Sequence, residues 1–299
     1  MIKRRSAKLG VRLLLALLRV SSKFPYGVQM SLGLLAGRFI FHSARKRRAI
    51  AARNLELCFP EMTIAERHKL LCAHFCSLGR ALFESGLAYW APDERLRELA
   101  RISGMDKLQA ALARGHGVIL IAGHFTSMEL AGRLLALVVE FDVVFRPFNN
   151  PEIDSIVHAG RQRAVGKVIP KKSFRQFLIG LKANRAILVT VDQATTARNK
   201  VMAPFFAVPA PTSINVARIA QKTGATVLPL LWLREPDLSG YRVEIGAPLT
   251  GFPSGDALTD ASRINTLIEE QIRQAPEQYY WIHRRFKAEP SPYDRKERK

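Results

Sequence analysis

His124 and Glu129 are the two residues whose types and spacing point most directly to catalysis. The apolar residues 118–122 have the pattern of a buried strand, and His124 follows them almost at once, with Glu129 five residues further on. Within one continuous helix, five steps of about 100° would leave the two side chains on different faces, so we expect His124 to precede the helix that carries Glu129. A neutral imidazole can accept a proton from a hydroxyl group, and a carboxylate on its other nitrogen would fix the tautomer. The spacing therefore predicts a general base and the residue that orients it.

The same segment also has a purely structural interpretation. Thr126 and Glu129 fit a capping box, in which the threonine oxygen accepts an amide proton of the first turn and the glutamate reaches back to the cap. A zinc site is not indicated, because no His-Glu-x-x-His motif or paired Cys-x-x-Cys motif lies nearby. No Gly-x-Ser-x-Gly motif makes Ser127 a nucleophile. The spacing alone leaves the role of Glu129 open.

Composition limits the class of protein and of partner. A chain of 299 residues with 48% hydrophobic content can bury a large core in one large domain or two modest ones. Its net charge of +21 favours an anionic partner, which could be nucleic acid, an anionic membrane, a phosphorylated lipid or an acidic protein. Three cysteines, Cys58, Cys72 and Cys76, provide no disulfide framework and suggest a reducing compartment.

The first 48 residues favour the membrane among these partners. Basic residues precede a Leu-rich run at 13–18, and a second apolar stretch at 24–41, interrupted by Arg38, is followed by four basic residues at 45–48. As a helix the second stretch would be about 27 Å long, slightly shorter than the hydrocarbon core of a bilayer. We expect two helices that dip into the cytoplasmic leaflet; helices packed on the protein's own core are the alternative. A signal peptide is disfavoured, since no small-residue cleavage site follows Leu18.

The rest of the chain, residues 49–299, is predicted to form one α/β domain. A capping box at Thr63 and Glu66 begins a helix that continues to about Tyr89. Strands are predicted at 118–122, 143–145, 186–191 and 226–231, with helices at 105–114 and 127–137, from Ser173, and from Thr212 or Ser213. This alternation predicts a mostly parallel central sheet flanked by helices. His124 and the pair Asp192-Gln193 each follow a strand, so both should face the ligand-binding edge of that sheet.

Several separated motifs resemble the lipid A biosynthesis (late) acyltransferase family, of lauroyl/myristoyl acyltransferase type. They are His124-x-x-x-x-Glu129; residues 145–151 with Ile153-Asp154; Arg161; Asp192-Gln193; residues 204–212; residues 275–287; and, near the N-terminus, Arg53-Asn54-Leu55 with Phe59-Pro60-Glu61. The resemblance extends from about residue 47 to residue 290. One position departs from it. The family often has a second acidic residue just after Asp-Gln or Asp-His, where this chain has Ala194.

The resemblance implies a glycerolipid-acyltransferase-like fold and transfer of a fatty acyl chain. The donor would be acyl carrier protein, the acceptor an anionic phosphorylated glycolipid of Kdo2-lipid IVA type, and the place the cytoplasmic face of the inner membrane. His124 and Glu129 would be catalytic, and no cofactor, metal or nucleic acid is implied. Substrate-binding residues would be Arg146, Asn150, Arg161, Asp192 and Gln193.

Structural alternatives exist for three of these substrate-binding residues. Arg146 and Arg161 suit a lipid phosphate because guanidinium groups form bidentate bonds to such anions, although either could form an internal ion pair. Asn150 could simply form a turn beside Pro151. His283 is not predicted to be catalytic.

Two other functions compete with this interpretation. The first is the same chemistry on another membrane glycolipid or envelope lipid. The second is a noncatalytic basic protein that binds membranes or nucleic acid, in which Glu129 is only a helix cap.

Overall fold

The structure, a computed structural model, describes residues 2–148, 150–195, 198–287 and 291–293. Asn149 of the 145–151 motif and residues 288–290, the end of the resemblance, lie outside the described residues. So do the side chains of Lys3, Arg4, Arg5 and Lys8, which precede the first Leu-rich run. The helices are α1 (Ile2–Ser21), α2 (Tyr26–Ser43), α3 (Arg45–Cys58), α4 (Ile64–Trp90), α5 (Asp93–Arg97), α6 (Met105–Leu112), α7 (Met128–Leu135), α8 (Pro151–Ala164), α9 (Phe174–Lys182), α10 (Asn215–Thr223) and α11 (Ala257–Gln274). The strands are β1 (Ala100–Ser103), β2 (Val118–Ala122), β3 (Asp142–Phe145), β4 (Val168–Pro170), β5 (Ala186–Thr190), β6 (Lys200–Phe205), β7 (Val208–Ser213), β8 (Thr226–Arg234) and β9 (Tyr241–Ile245), and a short 3-10 helix covers Pro276–Gln278.

Seven of the strands form one twisted central sheet in the order β1-β9-β8-β2-β5-β3-β4. The β8–β9 pair is antiparallel and the other neighbours are parallel, so the predicted mostly parallel sheet is confirmed. The remaining strands, β6 and β7, form a separate antiparallel hairpin. The parallel strands β2, β5 and β3 end at one edge, where polar side chains converge.

Both faces of the sheet are covered, which explains why β2 is apolar throughout. Leu120 and Ala122 belong to a large core that includes residues of α3, α4, α6 and α7. Ile119 and Ile121 face the opposite side, where α9 and α10 pack. β2 is therefore held rigidly up to the point where His124 follows.

Element boundaries agree with the sequence where the apolar pattern is strong. The capping box at the start of α4 is present, with Thr63 Oγ1 accepting from the Glu66 amide at 3.2 Å and the Glu66 carboxylate accepting from the Thr63 amide at 2.7 Å. β2 has the predicted bounds. The helix expected from Thr212 or Ser213 begins two or three residues later, at Asn215, because both residues belong to β7.

The two N-terminal helices both contact α4. α2 packs along α4 through its buried residues Gln29, Met30, Gly33 and Gly37. On the other sides of α1 and α2, large apolar side chains are exposed, namely Leu13, Leu14, Leu17, Val20, Phe24, Val28, Leu35 and Phe39. Among the described residues, no helix combines the length and the apolar character needed to cross a membrane. Insertion of these helices into a leaflet stays a prediction.

Candidate active site

His124 lies on a short loop between β2 and α7 that other elements hold in place. The His124 carbonyl accepts a hydrogen bond from the Tyr280 amide at 2.9 Å, and the Thr126 amide donates to the Gln278 carbonyl at 2.7 Å. The Trp232 indole donates to the Gly123 carbonyl at 3.2 Å. The chain after the 3-10 helix thus pairs with the histidine loop, which gives the family-like motif at 275–287 a positioning role.

Asp192 orients the His124 imidazole. It follows β5, next to β2 in the sheet, and its Oδ1 lies 2.6 Å from His124 Nδ1 while its Oδ2 accepts from the His124 amide at 3.0 Å. With the proton on Nδ1, the Nε2 lone pair is free to accept a proton. The Thr190 hydroxyl lies 3.1 Å from Nε2 and donates to it in this tautomer. This is the geometry of a general base with its orienting carboxylate.

The Asp192 carboxylate is buried yet ionised. Burial alone would raise its pKa, but the adjacent imidazole and the hydrogen bonds from His124 and Tyr279 hold the pKa well below its usual value. Burial and the Asp192 charge raise the pKa of Tyr279, so this hydroxyl stays protonated and donates to the carboxylate. The anion is therefore available to stabilise an imidazolium formed on His124.

Glu129 does not have the partner that the sequence predicted. Its carboxylate forms an ion pair with Arg161 and accepts a hydrogen bond from the Tyr89 hydroxyl at 2.8 Å. Both nitrogens of His124 are occupied by Asp192 and Thr190, so the prediction that Glu129 orients His124 is wrong in this structure. The reason is that the Glu129 side chain leaves α7 toward Arg161 on α8 and not toward the imidazole.

The capping-box interpretation of Glu129 is also wrong. α7 begins after Ser127 without a side-chain cap, and Thr126 Oγ1 instead lies 2.7 Å from Ser77 Oγ on α4. The Arg161 guanidinium also stacks over the Phe145 ring, 4.9 Å from its centroid. Glu129 thus belongs to a half-buried polar cluster beside the site.

The other predicted substrate-binding residues have different environments. Asn150 caps α8 by accepting from the amide of Glu152 at 2.9 Å, a structural role different from the turn considered from the sequence. Arg146 is exposed at the end of β3, and no carboxylate pairs with it among the described residues. Partial burial and the Arg146 charge lower the pKa of Lys171, while the Asp192 charge raises it, so Lys171 lies within electrostatic range of both residues.

A small polar chamber lies beside this pair and is lined by residues that include Gln193, Tyr279 and His283. His283 Nε2 is buried without a hydrogen-bond partner, and burial lowers the pKa of this imidazole to about 4, so it is neutral at pH 7. Among the described residues no group of three or more His, Cys, Asp or Glu side chains is arranged to hold a metal ion.

Sequence reasoning missed Thr190 and Tyr89 as site residues. Thr190 is the last residue of β5, two positions before Asp192, so its place at the sheet edge was readable once β5 was predicted. Tyr89 carried no such signal, because it lies on α4, far from the motif residues in sequence. The structure alone brings its hydroxyl to Glu129.

An apolar cavity lies between the sheet and helices α4, α7 and α8. Its lining includes Leu188, Val143 and Trp232 from three strands, and Thr190 at the end near the base. Because the Thr190 hydroxyl also contacts His124 Nε2, the cavity adjoins the nitrogen that would accept a proton.

The match to known proteins covers nearly the whole chain. The family model described as "Bacterial lipid A biosynthesis acyltransferase" matches residues 3–288. The chain belongs to this family. It is 36% identical to the lipid A biosynthesis palmitoleoyltransferase of Escherichia coli (strain K12) and 35% identical to the lauroyltransferase of the same organism, in each case over 90% of this chain and 88% of the relative. Identity to the E. coli lipid A biosynthesis myristoyltransferase is 25%, over 97% of this chain and 91% of the relative.

Membership decides between the functions considered from the sequence. The chain is an acyltransferase of lipid A biosynthesis, as its motifs predicted. A noncatalytic basic protein is excluded. The donor, the acceptor and the roles of individual residues go beyond what membership establishes.

Proposed function

We propose that this lipid A acyltransferase moves a fatty acyl chain from acyl carrier protein to a hydroxyl of a phosphorylated lipid A precursor, of Kdo2-lipid IVA type, at the cytoplasmic face of the inner membrane. One observation carries the proposal: His124 Nε2, oriented through Asp192, lies where the apolar cavity meets the edge of the sheet. A thioester whose chain enters that cavity would have its carbonyl beside the base.

The reaction proceeds by direct transfer. The acceptor hydroxyl replaces the Thr190 hydroxyl at His124 Nε2 and gives its proton to that nitrogen as its oxygen bonds to the thioester carbonyl carbon. The tetrahedral intermediate collapses, the carbon–sulfur bond breaks, and the departing thiolate takes the proton from His124. Asp192 stabilises the transient imidazolium through its bond to Nδ1. General-base assistance of this kind contributes about 10²–10⁴-fold to the rate.

Glu129 contributes to this site by a route different from the one predicted. With Tyr89 it holds Arg161, which forms one wall of the cavity, so we assign Glu129 and Arg161 a positioning role. Because the Arg161 guanidinium is paired with Glu129, it is not available as a phosphate ligand. Gln193 follows Asp192 and also lines the polar chamber, where it would contact the acceptor.

A phosphate of the acceptor would bind Arg146 and Lys171. Both side chains are exposed at the edge of the sheet, and the Lys171 ammonium lies within electrostatic range of Arg146 and of Asp192. Charge-assisted bonds from a guanidinium and an ammonium group suit a phosphate monoester. This contact would place the neighbouring sugar hydroxyls close to His124.

The test is acyl transfer by purified protein, with lauroyl acyl carrier protein as donor and Kdo2-lipid IVA as acceptor, and the product measured by mass spectrometry. His124→Ala should lose at least about 10²-fold in rate. The matched control is His116→Ala, which removes an exposed histidine far from the site and should retain activity. No transfer by the wild-type protein, or full activity of His124→Ala, would overturn the proposal. Transfer only to a different glycolipid would overturn the acceptor.

A further inference from the structure

The apolar cavity extends inward from the catalytic edge of the sheet. Thr190 ends β5 at that edge, and Leu188, two residues earlier on the same face of the strand, also lines the cavity. Phe141, which precedes β3, marks the far end of the lining. Because β3 and β5 both run toward the edge, residues earlier in these strands lie deeper. The cavity is thus a channel that begins beside His124.

Helix α7 forms one wall of this channel. It runs inward from the catalytic edge, opposite in direction to β3 and β5. It starts at Met128, just after the histidine loop, and Gly132 lies four residues further along. Four residues of helix correspond to about 6 Å, so Gly132 lines the channel about one turn deeper than Met128.

The polar groups in the wall are bonded to one another. The Glu129 carboxylate pairs with Arg161 and accepts from the Tyr89 hydroxyl, and none of these three side chains has an unpartnered buried polar atom. Polar groups that are already paired with one another lose fewer hydrogen bonds to water on burial, so the penalty for a hydrocarbon chain lying against them is reduced. This makes the channel suitable for an apolar ligand in spite of its charged residues.

Gly132 is the position in this wall where a side chain is missing. A Cβ built at Gly132 would meet no heavy atom within 4 Å, although the residue lines the channel. Gly160, on the α8 wall, differs: a Cβ there would lie 2.5 Å from the Tyr89 ring. A glycine at 160 is required because helix α8 packs closely against Tyr89, whereas the glycine at 132 leaves unfilled space in the channel wall.

We propose that the channel holds the acyl chain of the donor and that the absent side chain at Gly132 determines how long a chain is accepted. The proposal rests on the proposed function, and it identifies the feature of this site that selects the donor. Relatives named as lauroyl-, myristoyl- and palmitoleoyltransferases use acyl groups of different length, so length selection is a property that varies within the family. A side chain at residue 132 would enter the channel about one turn deeper than Met128 and shorten the space left for an acyl chain.

The experiment compares wild type with Gly132→Ala and Gly132→Leu in a competition among acyl carrier proteins that bear decanoyl, lauroyl, myristoyl and palmitoyl chains. Products are resolved by mass spectrometry. Gly132→Leu should shift the ratio of short to long product by about tenfold or more, because a misfit of even one methylene in an apolar pocket changes selectivity by that amount. Gly132→Ala should shift it in the same direction by less, and it should fold well because alanine favours helix more than glycine does.

The matched control is Gly27→Leu, on α2. A Cβ at Gly27 also meets no atom within 4 Å, but Gly27 is exposed and does not line the channel. Its length profile should equal that of wild type. Normal transfer with unchanged profiles in both Gly132 variants would overturn this assignment and leave the proposed function intact. Absence of transfer by the wild-type protein would overturn the proposed function and this assignment with it.

Discussion

At the scale of single residues, Asp192 determines whether His124 can act as a base. Its two oxygens bind the ring and the backbone of the same histidine, which fixes the tautomer with a free Nε2 lone pair. In Asp192→Asn, an amide group can donate to Nδ1 and favour the opposite tautomer, which has no lone pair at Nε2. We expect kcat to fall by about 10²–10⁴-fold with the fold preserved. Steady-state kinetics of acyl transfer measures this.

Asp237→Asn is the control for this substitution, because Asp237 is an exposed loop residue whose carboxylate accepts from the Ser239 amide at 2.9 Å. It should leave kcat unchanged. Activity of Asp192→Asn equal to that of Asp237→Asn would mean that the carboxylate does not set the tautomer.

The sequence predicts where the site residues lie better than it predicts which of them form hydrogen bonds with one another. Because His124 and Asp192 each follow an apolar strand, the sequence predicts both at one edge of the sheet. In the structure, β2 and β5 are neighbours, which brings the two side chains together. The choice of partner depends on which way a side chain leaves its helix, and Glu129 turns toward Arg161. A spacing of five residues contains no information about Arg161 or Tyr89, which come from other helices.

At the scale of elements, glycines determine how closely α2 approaches α4. Gly33 and Gly37 on α2 are four residues apart and face Gly79 on α4, and a Cβ at Gly79 would lie within 3.0 Å of backbone atoms of both. Small residues at this spacing let two helix backbones approach closely. Gly79→Ala must therefore push the helices apart, and we expect it to reduce the free energy of unfolding by about 1–3 kcal/mol.

Thermal unfolding in mild detergent measures this effect, with Gly27→Ala as the control. Gly27 lies on α2 with open space around it, so alanine there should be neutral or slightly stabilising. A Gly79→Ala variant as stable as Gly27→Ala would show that α2 and α4 do not require the close approach.

The elements that the sequence missed have physical reasons in common. The hairpin of β6 and β7 contains Pro204, Pro209 and Pro211, and proline within a run argues against a strand because it cannot donate to the ladder. The hairpin tolerates these prolines because it is separate from the central sheet. Strands β2 and β5 were predictable because burial on both faces makes them uniformly apolar.

At the scale of the whole molecule, buried histidines make stability depend on pH. His74 on α4 is fully buried, donates from Nδ1 to the Glu277 carbonyl at 3.2 Å, and has no partner for Nε2. Burial lowers its pKa from 6.5 to about 4. Between those values the unfolded chain binds a proton that the folded protein excludes, so stability falls as the pH decreases from about 6.5 toward 4.

At pH 5 this difference corresponds to a loss of about 2 kcal/mol relative to pH 7. His74→Asn keeps a donor near the position of Nδ1 but cannot titrate, so its unfolding free energy should change less between the two pH values. His283, whose pKa is also lowered to about 4, supplies a dependence of the same sign in both proteins. Denaturant unfolding at pH 7 and pH 5 measures the difference; equal pH dependence in wild type and His74→Asn would contradict it.

Charge and exposed apolar surface together should direct the protein to an anionic membrane. Leu17 and Phe39, on α1 and α2, are 57% and 73% exposed, and the chain carries a net charge of +21. Burying one such side chain contributes about 1.5–3 kcal/mol, so Leu17→Ser with Phe39→Ser should weaken binding to anionic phospholipid vesicles by about tenfold or more. High salt should weaken the wild type only partly, since apolar burial is not screened. Cosedimentation measures both effects.

Ile64→Ser, which removes an 82% exposed side chain at the start of α4, is the control. Equal vesicle binding of the double variant and this control would contradict a membrane-binding role for α1 and α2.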